Sequence, residues 1–195
     1  MGAAAPCALG LAPHSGWAAA VVLGGSAQEP KVLARERLEL ADATLEGSRA
    51  PYHAVEPLPL PRAREALARY EAQAESLARA RLAPLLERTG GVRAAGILAG
   101  EGRGLSDLAA ILASHALIHT ADGNHFRSAL ARSLEALQVP VSRVRQRELL
   151  ARAAESLGRR EAELTARVAA LGRDLGPPWG ADQKAAALLA WLLLA

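Results

Sequence analysis

The period of apolar positions changes several times along the chain, and each change predicts a different element. Ala8 to Leu11, Trp17 to Leu23 and Val32 to Leu40 are short apolar segments separated by the turn residues Pro13-His14-Ser15-Gly16 and Gly24-Gly25-Ser26. They predict three sequential strands, the first two joined by a tight hairpin. The third sets Val32, Ala34 and Leu38 among Arg35, Arg37 and Glu39, as an edge strand with one wet face does. The Pro-rich passage from Pro51 to Pro61 predicts an extended connector. From Arg62 to Arg88, the residues Leu67, Tyr70, Ala74, Leu77, Ala78, Leu82 and Leu85 return at three- and four-residue steps. That is one apolar face of a long helix, which Pro84 should end or kink near its last turn.

Val92 to Ala99 is small and apolar throughout, the pattern of a central strand covered on both faces. After the turn Gly100 to Gly104, a short helix is expected from Ser106 to Ala113. A longer one is expected from about Thr120 to Leu137, with Thr120 as N-cap. Val139 to Val144 predicts another strand. The remainder reads as helical, broken at Leu157-Gly158 and at Gly176-Pro177-Pro178-Trp179-Gly180. A three-strand meander followed by αβαβα predicts one α/β domain over residues 1–195, a mixed five-stranded sheet with helices on both faces.

Composition narrows the function classes only a little. The chain has 195 residues, 51% of them hydrophobic, a net charge of +3 and a pI near 9.6. Only Lys31 and Lys184 are lysines among the 23 basic residues. An arginine- and alanine-rich genome produces the same skew, so charge alone is weak support for an acidic partner. Cys7 is the single cysteine, which excludes an intrachain disulfide and a cysteine-held metal and fits a reducing cytoplasm. Met1 to Leu11 lacks a basic n-region and is expected to enter a strand, not to act as a secretory signal. The run Ala185 to Ala195 falls short of the roughly 20 residues that span a bilayer and is expected to pack as a terminal helix.

Three stretches, in this order along the chain, carry a resemblance to a known family. Gly10-Leu11-Ala12-Pro13-His14-Ser15-Gly16 is similar to the motif G-[IL]-D-P-G-S with its acid replaced by Ala12. Gly158 to Leu171 is similar to a G-x-x-x-K helix, and Gly180-Ala181-Asp182-Gln183-Lys184-Ala185-Ala186-Ala187-Leu188 to A-D-A-A-D-A-L-A. The chain thus resembles the RuvC-type Holliday junction resolvases of the ribonuclease H-like superfamily. The resemblance implies a two-metal nuclease site built from carboxylates on the first strand, the end of the fourth and the last helix. Here the first-strand acid is Ala12, and the fourth-strand position falls near Ala99 with Glu101 close by. On the last helix Asp182 matches one acid while Ala185 replaces the other. Magnesium or manganese is therefore implied only if other ligands rebuild the site. Glu101 and Asp182 are the vestigial-site candidates, and the loss of acids at positions 12 and 185 predicts a protein without enzymatic activity.

Other residues invite a chemical reading. Ser114 to His125 gathers His115, His119, His125 and Asp122, three of the five histidines with one acid. His115 and His119 have a metal-ligand offset only if that stretch is helical, and Thr120 as a cap predicts a helix junction instead. Gly100 to Gly104 lacks the G-K-[ST] of a phosphate loop, although its backbone could accept a phosphate. Arg143, Arg145 and Arg147 alternate along a predicted strand, with Arg152 nearby, as a strip that could neutralise DNA or RNA phosphates. Trp17, Trp179 and Trp191 adjoin apolar segments and are expected to anchor packing.

Three readings stay open at this point. The leading one is a non-catalytic, cytoplasmic scaffold on nucleic acid, a homodimer like the resolvases it resembles. The alternative is a divalent-metal nuclease with migrated ligands, drawn from Glu101, Asp182, His14 and Asp122. The third is a protein-interaction module, with no membrane involved in any of them.

Overall fold

Alternation within the apolar strands decides how the layers form. In a computed structural model, which describes residues 7–100 and 107–195, β1 (Ala8–His14) turns Leu9 and Leu11 to one face and Ala8 and Ala12 to the other. β2 (Trp17–Gly25) and β4 (Ala94–Ala99) divide their side chains in the same way. Both faces are therefore apolar and both need a helical cover. The sheet order is β3-β2-β1-β4-β5, with β3 spanning Pro30–Glu39 and β5 Val141–Arg145. β1 to β3 form an antiparallel meander, while β4 and β5 run parallel to β1. This is the mixed five-stranded ribonuclease H-like arrangement that the pattern predicts, with β3 at an edge as expected.

One face packs on α2 (Leu60–Arg88) and α4 (His115–Ala136), around Phe126, Leu130, Leu82 and Leu85. The other packs on α5 (Leu149–Leu157), α6 (Glu161–Leu171) and α7 (Ala181–Leu192), around Trp191 and Leu189. Trp191 is fully buried, and its indole N–H donates to the Ala27 carbonyl at 2.8 Å. Trp179 donates to the Val168 carbonyl at 2.9 Å. Arg35 of the edge strand donates to the carbonyls of Gly176 and Pro178 and so holds the turn that leads into α7. No helix among the described residues is long and apolar enough to cross a membrane.

Two local expectations change. The Pro-rich connector contains a short helix, α1 (Pro51–Val55), because a proline in the first turn lacks only an N–H that would be unsatisfied anyway. The same reason lets Pro61 sit at the start of α2. Pro84 lies near the last turn of α2, which runs on to Arg88 as the periodicity predicts. Thr120 does not cap a helix: Ser114 holds the extended N-cap position, α3 covers Leu108–Leu112, and α4 starts at His115. The Thr120 hydroxyl instead donates back to the Ala116 carbonyl at 3.0 Å, within the helix.

Candidate metal centre

A helix that begins at His115 turns the spacing of its histidines into geometry. His115 and His119 are one turn apart on α4, and their Nε2 atoms lie 3.0 Å from each other. His53 enters from α1, its ring 4.6 Å from that of His119 and 5.5 Å from that of His115. One ligand atom from each of the three rings falls within a common span of 4.8 Å. His115 and His119 are exposed and His53 is half-buried. An ion bound there would keep a side open to solvent, as three-ligand catalytic sites do.

Asp122 explains why His53 faces the pair. Its Oδ2 lies 2.5 Å from His53 Nδ1, and its Oδ1 accepts the Tyr52 backbone N–H at 2.7 Å. With Nδ1 occupied, the other ring nitrogen of His53 is the one left for a ligand. Carboxylate–histidine pairs of this kind orient imidazoles at metal sites and raise their basicity. Asp122 is itself buried, and these two bonds satisfy it. It stands well inside α4, two turns from the start of the helix at His115.

His125, six residues beyond His119 on the same helix, is not part of this cluster. It is buried against Phe126, and neither ring nitrogen makes a well-formed hydrogen bond. Burial first and the Arg132 guanidinium second lower its pKa to about 4, against the opposing pull of Glu75 on α2 and the Tyr70 backbone. A His with a depressed folded pKa binds protons more readily when unfolded. Its cost is thus absent above the unfolded value near 6.5 and grows as pH falls toward 4. Stability should drop by roughly 2–3 kcal/mol across that window through this group alone. Urea unfolding at pH 7 and pH 4 checks this: His125→Leu should flatten that part of the profile, and an unchanged slope would remove His125 as its source.

The site implied by the family resemblance lies on the opposite side of the same sheet end. Ala12 is buried beneath α7, Ala185 is half-buried on α7, and neither supplies a ligand. Asp182, in the first turn of α7, places Oδ1 2.8 Å from His14 Nε2. The His14 ring stacks on Trp17 with centroids 4.5 Å apart, and the Arg37 guanidinium lies 3.7 Å from the Trp17 ring centre. Glu101 lies outside the described residues. Among the described residues the acids at this corner, Asp182 on α7 and Glu39 on β3, are already engaged with His14 and Arg37, which does not fit a site for two hard cations.

The expectation of a protein without enzymatic activity nevertheless requires correction. It rested on Ala12 and Ala185, whereas a metal-ligand-capable centre stands at His53, His115 and His119. Only two of its three histidines had a local signal, the His-x-x-x-His offset of His115 and His119, and the predicted cap at Thr120 hid it. His53 lies far upstream and carries no local cue at all.

The basic candidates divide. Arg143 and Arg145 are exposed on the edge strand β5, and Arg152 is exposed on α5. Arg145 pairs with Glu148 at 3.1 Å, and Arg147 approaches the same carboxylate at 4.0 Å. No carboxylate among the described residues pairs with Arg143.

No protein-family model and no curated protein matches the chain. Solved structures do. A RuvC from T. thermophilus in complex with Holliday junction substrate superposes with a TM-score of 0.56 at 15% identity, covering 96% of this chain and 92% of that one. A second Thermus thermophilus RuvC structure gives a TM-score of 0.54, again at 15% identity, over 95% and 92% of the two chains. At this identity the likeness is one of fold.

Proposed function

We propose that the chain is a divalent-metal-dependent nuclease on a RuvC-like scaffold, with its metal held by His53, His115 and His119 in place of the family's carboxylates. The observation that carries the reading is the convergence of three imidazoles within 4.8 Å, one of them braced by a buried aspartate. Imidazole donors suit zinc and its transition-metal neighbours better than magnesium. Such an ion would polarise a phosphoryl oxygen and lower the pKa of water beside it.

The chain's own groups have separate tasks. Asp122 fixes the His53 tautomer and ring direction. His115 and His119 present adjacent nitrogens from a rigid helix, which holds ligand geometry better than a loop. Arg143, Arg145, Arg147 and Arg152 supply positive charge on and beside β5 for backbone phosphates. Both the likeness of fold and the junction bound in one of the similar structures favour a branched or duplex nucleic acid as substrate.

The test is cleavage of labelled four-way junction, duplex and single strand by the full chain, with zinc, manganese or magnesium and with a chelator. Cleavage that needs a transition metal, disappears with chelator and is lost in His119→Ala is the expected result. No cleavage with any metal, or cleavage indifferent to His119→Ala, would overturn the proposal.

A further inference from the structure

The ridge of α4 that carries the two histidines continues in an unusual way. His115, His119, Gly123 and Arg127 follow one another at four-residue steps, so they form a single row along the helix. Long helical side chains lean toward the helix N-terminus. Arg127 does so here: a Cβ placed on Gly123 would sit 2.7 Å from its Nη1. The guanidinium therefore occupies the space that any other residue at position 123 would fill. Position 123 is one turn, roughly 6 Å along the axis, from His119.

The other end of the guanidinium is anchored. Nε donates to the Leu98 carbonyl at 3.1 Å, near the carboxyl end of β4, and the group passes beside Gly100. The two terminal nitrogens have no carboxylate partner among the described residues. Several other arginines have one: Arg37 has Glu39, Arg132 has Glu75 and Arg145 has Glu148. Arg127 is half-buried, and the charge nearest to it in effect is another cation, Arg143 on β5. Burial first and Arg143 second depress the pKa of Arg127. A half-buried guanidinium facing a second, exposed cation is costly unless an anion joins it. The carboxyl end of parallel strands is also where open α/β sheets take ligands.

We infer that Arg127, with Arg143 beside it, is a phosphate-binding fork that seats a backbone phosphodiester next to the His53/His115/His119 centre. Gly123 is the opening that lets the fork reach along α4 toward the histidines. As the group that places the scissile region, it rests on the nuclease reading; as an anion site, it stands without metal.

The experiment measures binding of inorganic phosphate to the full metal-free chain by calorimetry, then of four-way junction in chelator. Arg127→Gln should weaken phosphate binding at least tenfold and Arg143→Gln by a smaller factor. Arg127→Lys should recover only part of the loss, because an ammonium keeps the charge without the planar fork. Thermal melts matched to the parent chain establish that each variant is folded. If Arg127→Gln is folded and binds phosphate and junction as the parent does, or if the parent does not bind phosphate, the fork is overturned. His115→Ala/His119→Ala separates the two claims. Phosphate binding retained in that variant supports the fork even when no metal-dependent cleavage is found. A chain that cleaves with metal but binds phosphate independently of Arg127 keeps the nuclease reading and loses the fork.

Discussion

Replacing His115 and His119 together by alanine is expected to lower transition-metal affinity by more than roughly 100-fold, the upper end of what loss of an outer-shell partner alone costs. Two of the three ligand atoms disappear, and one imidazole cannot hold an ion against water. Both rings are exposed and sit on a helix whose other face makes the core contacts. The metal-free stability of the variant should therefore stay within about 0.5 kcal/mol of the parent. Zinc should raise the melting temperature of the parent and leave that of the variant unchanged, since a ligand stabilises only a fold that binds it. Asp122→Asn should fall between the two, losing about 10- to 100-fold, because His53 keeps its nitrogen but loses the group that aims it. Protons compete with metal for imidazole, so affinity in the parent should decline on acidification. Zinc titration by calorimetry at two pH values reads all of this. A double variant that binds one zinc as tightly as the parent would place the ion elsewhere.

The contrast between fold and site in the sequence has a physical origin. Strand faces are set by a two-residue period, so the apolar runs of β1, β2 and β4 announce a sheet covered on both sides before any contact is known. The same locality misleads where two local signals compete. Thr120 has the side chain of a cap and also sits in the interior of a helix, where its hydroxyl returns to the Ala116 carbonyl. Taking it as a cap split α4 and separated His115 and His119 from the helix that aligns them. Pro51 likewise reads as a break, although the first turn of a helix tolerates it. The remaining pieces of the centre are tertiary. His53 meets His119 only because α1 packs against α4, and Asp122 reaches His53 across that same contact. Motif matching directs attention to positions 12, 99, 182 and 185, where carboxylates belong by resemblance, and says nothing of a donor set on the other face.

The second large effect concerns the strand on which α7 rests. Gly10→Ala should destabilise the fold by roughly 3 kcal/mol or more, at or beyond the upper end of overpacking costs. A Cβ on Gly10 would lie 1.9 Å from the Ala186 carbonyl oxygen, 2.8 Å from its carbon and 2.9 Å from the Ala190 nitrogen. All three atoms belong to the backbone of α7, so no side-chain rotation relieves the clash and the helix itself must retreat. That retreat loosens Trp191 and Leu189, both fully buried. Gly10 is paired in register with Gly96 on β4, and the two glycines together form the groove that admits α7. At Gly96 the atoms nearest the added carbon would be those of the Leu189 side chain, at 2.6 to 2.9 Å. A leucine can change rotamer, so Gly96→Ala should cost less, about 1 kcal/mol. Retreat of α7 also carries Asp182 away from His14, across the 2.8 Å contact that joins that helix to the end of β1. Urea unfolding of both variants, with the His14 ring followed by NMR, tests the whole chain of argument. Equal stabilities for the two variants would mean that α7 does not lie directly on the backbone of β1.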